Sequence, residues 1–302
     1  MTNSLEISRE YMSFWIEKKA LKFPMIVSSE FKANNKHIER LMFKFLKNLS
    51  YLFTGKPNTS SDHMQNKIIS LIMKRRSCRS FTDEEIDAKS INTILEAGRF
   101  APSTVNLQTW SFITYSRNEW KEFFGHSIPF KGAYAIIICA DMFKIKDLFP
   151  DFKETPYINN SFALFNAGLA AMNMTLAAEA LGLRSVMLSE TGRTGLLDIK
   201  HLKSKLNLPE HVLPVTTLVI GKPGIKFPGI PPRQPKDTVT MKKVYDLNAG
   251  SNLKEWFEQM MVGYKMTHPL STLNKQIEFY RKKMSDAEKE VRKVFDPGNN
   301  NN

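Results

Sequence analysis

Two cysteines in 302 residues, Cys78 and Cys139, are too few for a thiolate-held iron–sulfur cluster or a four-thiolate zinc site, and they suit a reducing compartment. The six histidines are scattered without the spacing of metal ligands, so no metal is expected. No run approaches the roughly 18 apolar residues of a membrane span; the longest is Ala133–Ala140. The first residues, Met1–Glu6, show neither a basic nor an apolar leader region, and the expectation is a cytoplasmic protein. No Ser-His-Asp set and no convincing carboxylate pair is visible, which removes the usual acid, base and nucleophile machinery. No internal repeat is apparent, and low complexity is confined to Asn299–Asn302.

Acidic residues are also in short supply, 30 against 43 Lys and Arg, for a net charge of +13. The excess lies in the flanks. Residues 1–70 carry 11 basic against 6 acidic residues and residues 222–302 carry 15 against 9, whereas residues 71–221 are near balance at 17 against 15. A near-neutral centre argues against a nucleic-acid-binding core, while the flanks could touch an anionic membrane surface. With 42% hydrophobic and 24% charged residues, the chain is globular in composition.

What is present divides into three parts. Residues 1–65 read as a helical N-terminal extension, with Ile38, Leu41, Met42, Phe45 and Leu46 at helical spacing, ending in a turn-rich linker over Thr54–Asp62. Residues 66–240 form the main domain. Helices are expected over Met64–Arg76, Asp87–Phe100, Phe162–Leu181 (capped by Ser161) and Leu196–Leu206. Strands are expected over Trp110–Tyr115, Ala133–Ala140, Ser185–Leu188 and Val212–Ile220, the second apolar enough to be central. The Ala-rich Phe162–Leu181 helix can serve as a core spine or a subunit interface. In residues 241–302 the globular pattern fades, apart from a basic amphipathic helix over Leu270–Phe295 that can wrap a partner or pack across the body.

Two segments carry chemistry. Lys74-Arg75-Arg76-Ser77-Cys78-Arg79 offers guanidinium forks and a hydroxyl; alone it reads as a helix end with cations complementing the dipole. Ala101-Pro102-Ser103-Thr104-Val105-Asn106-Leu107-Gln108-Thr109-Trp110 offers small polar groups on a turn that ends at an aromatic. In this order the two suggest a bound anionic, planar cofactor. The aromatics Phe143, Phe149, Phe152 and Tyr157 read as core packing, with stacking on a planar acceptor as the other possibility.

Arg75–Phe81, Ile94–Ser103, Asn106–Trp110 and Asn173–Leu183, in this order, resemble the FMN-dependent nitroreductase family over about residues 66–240. The resemblance implies an α+β fold, a central mixed β-sheet flanked by helices, in an intertwined homodimer with FMN at the interface. By the same resemblance Arg75, Arg76 and Ser77 bind the phosphate and ribityl chain, and Arg79 approaches the N1/C2 edge of the ring. Pro102, Ser103, Thr104 and Asn106 reach the flavin from the partner subunit. Leu188, Ser189 and Glu190 face N5, and Arg233 is a late phosphate-binding residue. Thr109 stands where the family often has Pro, and Ser189-Glu190-Thr191 replaces a commonly Gly-rich loop.

The chemistry of these groups agrees with the resemblance. Guanidinium forks suit phosphate oxygens better than Lys, and a fixed cation near N1 stabilises reduced flavin. The implied activity is an NAD(P)H-dependent flavin oxidoreductase that takes hydride from NADH or NADPH and passes it to a small-molecule electron acceptor, nitroaromatic, quinone or similar. Reductive dehalogenation, flavin breakdown and a non-catalytic redox sensor remain as alternatives.

Overall fold

The computed structural model describes residues 59–148, 155–224, 231–250 and 253–295. The chain divides into compact units Met1–Leu52 and Phe53–Asn302, and every described residue belongs to the second. The helix expected within residues 8–53, with Phe149 and Phe152, lies outside the described residues.

The expected helix over Met64–Arg76 is two helices, α1 (Ser61–Gln65) and α2 (Lys67–Lys74). Asn66 breaks them: its extended backbone ends α1, and its side-chain oxygen accepts from the Ile68 and Ile69 amides to cap α2. Helix α3 (Ala88–Arg99) is capped by Asp87, whose carboxylate accepts from Ser90 N–H at 2.8 Å. Strand β1 (Trp110–Ser116) runs directly into α4 (Arg117–Phe124), a helix the sequence reading omitted. It is marked by a capping box between Ser116 and Glu119 and a Gly125 in the left-handed region.

After β2 (Tyr134–Asp141) comes the long α5 (Pro156–Ala180), which starts six residues before the expected Phe162. Ser161 is not its cap but an interior residue whose hydroxyl donates to Tyr157 O. By length and composition α5 could cross a membrane, yet ten of its residues are buried within the protein. Strand β3 (Arg184–Leu188), a 3-10 turn at Leu196–Asp198 with α6 (Ile199–Lys205), and β4 (Val212–Gly221) follow. Beyond them α7 (Lys236–Val239) and α8 (Leu253–Thr267) were not expected, whereas α9 (Leu273–Phe295) is the expected C-terminal helix, starting three residues later than Leu270.

The sheet has strand order β1-β2-β4-β3, and all three ladders are antiparallel. Its parallel element is an isolated bridge, Ser77 to Ser185, at the β3 edge. Alternation along β2 builds two cores. Ile136, Ile138 and Ala140 face α5 and α3, while Ala135, Ile137 and Cys139 face Trp120 of α4 and Leu202 of α6. A strand buried on both faces reads as one unbroken apolar run. The register shifts between Ile138 and Cys139, skipping Val215 of β4 beside Pro214, which has no N–H to give the ladder.

Helix α5 lies on α3 so closely that a Cβ on Gly98 would collide with the Met174 side chain. Ala163, Ala167, Ala170, Ala171 and Ala178 make the buried stripe of α5. Helix α9 packs across the same body, with Ala287 and Val294 entering the α5 core and Asn160 Nδ2 donating to Val294 O at 3.4 Å.

Candidate functional site

Past α2 the chain becomes extended and is stitched to the sheet edge. Cys78 N–H donates to Ser185 O at 2.9 Å, Gly224 N–H to Ser80 O at 2.8 Å and Thr82 N–H to Lys222 O at 3.0 Å. Burial of Cys78 and Phe81 drives this attachment, and between them Arg79 is left exposed.

The stitching delivers Arg75 and Arg76 to the end of α5. There Glu179, with a side chain only 3% exposed, pairs with Arg184 at the start of β3. Arg76 feels Arg233, Arg75 and Arg184 as well as Glu179, and Glu179 in turn feels Arg184, Arg75 and Arg76, so three guanidiniums gather around one carboxylate with Arg233 close to Arg76. Burial first, then Arg233 and Arg75, lowers the Arg76 pKa from its ordinary value; it starts so high that the group stays charged. Burial raises the Glu179 carboxyl above its ordinary range, with Arg184, Arg75 and Arg76 pulling it back. Among the described residues no other carboxylate pairs with Arg75, Arg76 or Arg233.

Two buried polar atoms beside this cluster, Glu179 Oε1 and Ser185 Oγ, have no hydrogen-bond partner. An uncompensated basic cluster with an orphaned hydroxyl fits a phosphate, which accepts from guanidinium and hydroxyl alike. One qualification comes from Arg76 itself. Its Nη1 donates to Met73 O and Arg75 O, both at 2.7 Å, capping the end of α2. The plain helix-end role therefore holds for half of this fork, leaving Nε and Nη2 for a ligand.

The second segment is a strained turn. Val105, Asn106 and Gln108 all have positive φ, at 51°, 56° and 49°. Such conformations cost about 1–3 kcal/mol each in non-glycine residues, most in a β-branched one, and persist only where the surroundings impose them. Here α5 imposes them. Asn166 Oδ1 accepts from Thr104 N–H at 3.1 Å and from Thr104 Oγ1 at 3.3 Å, while its Nδ2 donates to the buried Thr109 Oγ1 at 2.9 Å. Ser103 Oγ accepts from Gln108 N–H at 3.0 Å. Thr109, in place of the family's usual Pro, is thus the residue that binds the helix asparagine. Asn173 does the same for α3, donating to Ala97 O at 3.1 Å. Pro102, Val105 and Asn106 remain exposed.

At the far end of β3, Leu188 is buried and Ser189 exposed, and Glu190 is held by Lys283 Nζ at 2.7 Å. That end lies about 13 Å along the strand from Arg184. One chain therefore brings Arg75, Arg76, Ser77 and Arg233 to the start of β3 and Leu188–Glu190 to its end. It does not bring the Pro102–Asn106 turn to the arginines, because Asn166 and Glu179 stand about 20 Å apart on α5.

Sequence reasoning missed Arg184, Glu179, Ser185 and Lys283. Arg184 and Ser185 begin a strand whose interest is visible only once Ser77 pairs with it. Phe143 and Tyr157, expected in the core, are 40% and 58% exposed. Among the described residues no cluster of His, Cys, Asp or Glu is suited to a metal ion.

Comparisons place this geometry in a known setting. Residues 72–222 match the description "Nitroreductase family". An FMN reductase (NADPH) of Bacillus subtilis is 28% identical over 236 residues, covering 74% of this chain and 87% of that protein. A second B. subtilis protein, FMN reductase [NAD(P)H], is 30% identical over 209 residues, covering 65% and 82%. The solved structure of a hypothetical oxidoreductase from B. subtilis superposes with a TM-score of 0.63 at 25% identity, covering 77% of this chain and 97% of its own. With a family match across half its length and the same α+β architecture, this chain belongs to the nitroreductase family.

Proposed function

We propose that the protein is an NAD(P)H-dependent FMN oxidoreductase that reduces nitroaromatic, quinone or similar acceptors by two successive hydride transfers, as a cytoplasmic homodimer with FMN between protomers. The observation that carries this is the gathering of Arg75, Arg76 and Arg184 around the Glu179 carboxylate, with Arg233 close to Arg76 and the orphaned Ser185 hydroxyl at the same end of β3. Such a surplus of partly exposed positive charge suits a phosphate monoester, and relatives named FMN reductase supply the identity of that ester.

When bound, FMN supplies the redox chemistry, accepting a hydride from NAD(P)H at N5 and giving two electrons up to the acceptor. The chain's own part is positioning and electrostatics. Arg75, Arg76, Ser77 and Arg233 hold the phosphate end. Arg79, exposed beyond them, carries a positive charge toward the N1/C2 edge, where it favours the reduced ring. Leu188, Ser189 and Glu190 line the N5 side.

The Pro102–Asn106 turn serves the partner's cofactor, since α5 holds it about 20 Å from its own arginines. Support for a second copy comes from α5. Ile158, Phe162, Phe165, Leu169, Met172 and Leu176 recur at spacings of four and three, and the first three are 51%, 43% and 62% exposed. This is the pattern of a helix seam that packs on another helix. Residues 1–65 and 241–302 flank the 66–240 domain as extensions.

Absorbance spectroscopy tests the reading. The purified protein is expected to be yellow, to bleach anaerobically with NADH or NADPH, and to recover on adding a nitroaromatic or a quinone. A colourless protein that takes up no FMN overturns it, and irreversible loss of flavin absorbance in air points to flavin breakdown instead.

A further inference from the structure

The segment between β3 and α6 begins at Ser189 and returns at Asp198. Its backbone is internally braced: Arg193 N–H donates to Glu190 O at 2.9 Å, Leu197 N–H to Ser189 O at 3.1 Å and Asp198 N–H to Gly195 O at 2.9 Å. The sheet supports its base, with Thr216 Oγ1 donating to Leu188 O at 3.0 Å and Thr217 Oγ1 to Thr194 O at 2.5 Å. The two limbs touch so closely that a Cβ on Gly195 would fall 2.7 Å from Ser189 Cα. Gly192 and Arg193 have positive φ at the tip.

Across the mouth of this loop lies a side chain 85 to 93 residues further on. Lys283 of α9 donates from Nζ to Glu190 Oε1 at 2.7 Å and to Asp198 Oδ1 at 3.1 Å. The lysine is 25% exposed, and the two carboxylates 16% and 13%. Burial alone would lower the Lys283 pKa, but the hydrogen bonds to Glu190 and Asp198 outweigh it and hold the ammonium charged. The Phe279 ring, one turn back on α9, lies 5.3 Å from the same Nζ. One cation thus joins the first and last turns of the loop. Without it two half-buried carboxylates on the two limbs would face each other uncompensated, which favours their separation.

We infer that Lys283 is a positioning residue for the flavin ring: by bridging Glu190 and Asp198 it sets the backbone of Ser189 and Glu190 against the ring, making α9 part of the redox site. This rests on the functional reading above, in which Leu188–Glu190 line the N5 side. It also gives the C-terminal helix a role that the phosphate end, about 13 Å away along β3, does not need.

The test uses the full-length FMN-loaded protein with Lys283→Met, Lys283→Gln and Lys283→Arg. In Lys283→Met, anaerobic bleaching by NAD(P)H is expected to slow about tenfold and the visible flavin band to shift, while FMN affinity changes less than threefold because the arginine cluster is untouched. Amide exchange at Arg193 and Leu197 is expected to quicken about tenfold in the FMN-free protein as well, and Lys283→Arg is expected to restore all of these. If Lys283→Met fails to fold, Lys283→Gln, which keeps a donor of similar reach but no charge, gives the same readings. Wild-type bleaching, spectrum and amide exchange in the uncharged variant overturn the bridge alone. A wild-type protein that takes up no FMN overturns the functional reading and the ring assignment with it.

Discussion

Asn166 and Glu179 stand about 20 Å apart on α5, and each anchors a different half of the candidate site. Asn166 holds the Thr104 turn, whereas Glu179 holds Arg184 among the arginines. In the proposed function the helix separates within one chain two groups that contact one cofactor, and the turn of a second copy completes the site.

Disrupting the exposed seam of α5 therefore has two consequences. Phe165→Glu, which places a charge on a 62% exposed apolar position, is expected to give monomers in sedimentation velocity and to weaken FMN binding at least tenfold. A monomer that retains FMN at wild-type affinity would show that one chain suffices.

Removing a phosphate-facing guanidinium acts on the other half. A charge-assisted hydrogen bond is worth about 1.5–3 kcal/mol, so Arg75→Ala is expected to raise the FMN Kd by roughly 10- to 100-fold. Arg76→Ala is expected to lose thermal stability too, because Arg76 also caps α2. Fluorescence titration and a melting curve separate the two effects; unchanged affinity in both variants counts against the phosphate assignment.

Glu179 is the counter-charge of the cluster, and burial already disfavours its ionised form. Glu179→Gln keeps the shape and an acceptor for Arg184 while removing the negative charge. FMN is expected to bind about tenfold more tightly in a competitive titration, at little cost in melting temperature. Weaker binding would mean that Glu179 organises the arginines more than it opposes the anion.

Burial pushes the Cys139 thiol up to about 12, with the nearby Asp141 adding to the shift. A folded value above the unfolded one of about 8.5 stabilises the fold fully below that pH, and the contribution fades as pH rises toward 12. At pH 8 the native protein is expected to leave Cys139 unalkylated by iodoacetamide, with rapid labelling in denaturant, as read by peptide mass spectrometry. Native labelling at the denatured rate would contradict its burial.

The sheet was legible because its strands announce themselves. Ala135–Ala140 is apolar at every step, and only a strand covered on both faces can use such a run. Helix boundaries were harder, since they turn on single side-chain hydrogen bonds: Asn66 splits one expected helix, and Ser161 sits inside another. Helix α9 was legible but its seat was not, because the residues that pack it on the body, such as Ala287 and Val294, are small and widely spaced among charges; α8 was missed.

By itself the sequence determined the kinds of chemistry at hand. It held too few cysteines for a cluster, offered a run of guanidiniums and a polar turn in family order, and encoded a strand fit only for the centre of a sheet. Tertiary structure decided which groups meet. Ser77 pairs with Ser185, Glu179 lies among three arginines, Asn166 strains the turn, and Lys283 bridges Glu190 to Asp198. Residue type and spacing record charge and local propensity, but distant partners meet only through the packing of α5, β3 and α9, which no local pattern encodes.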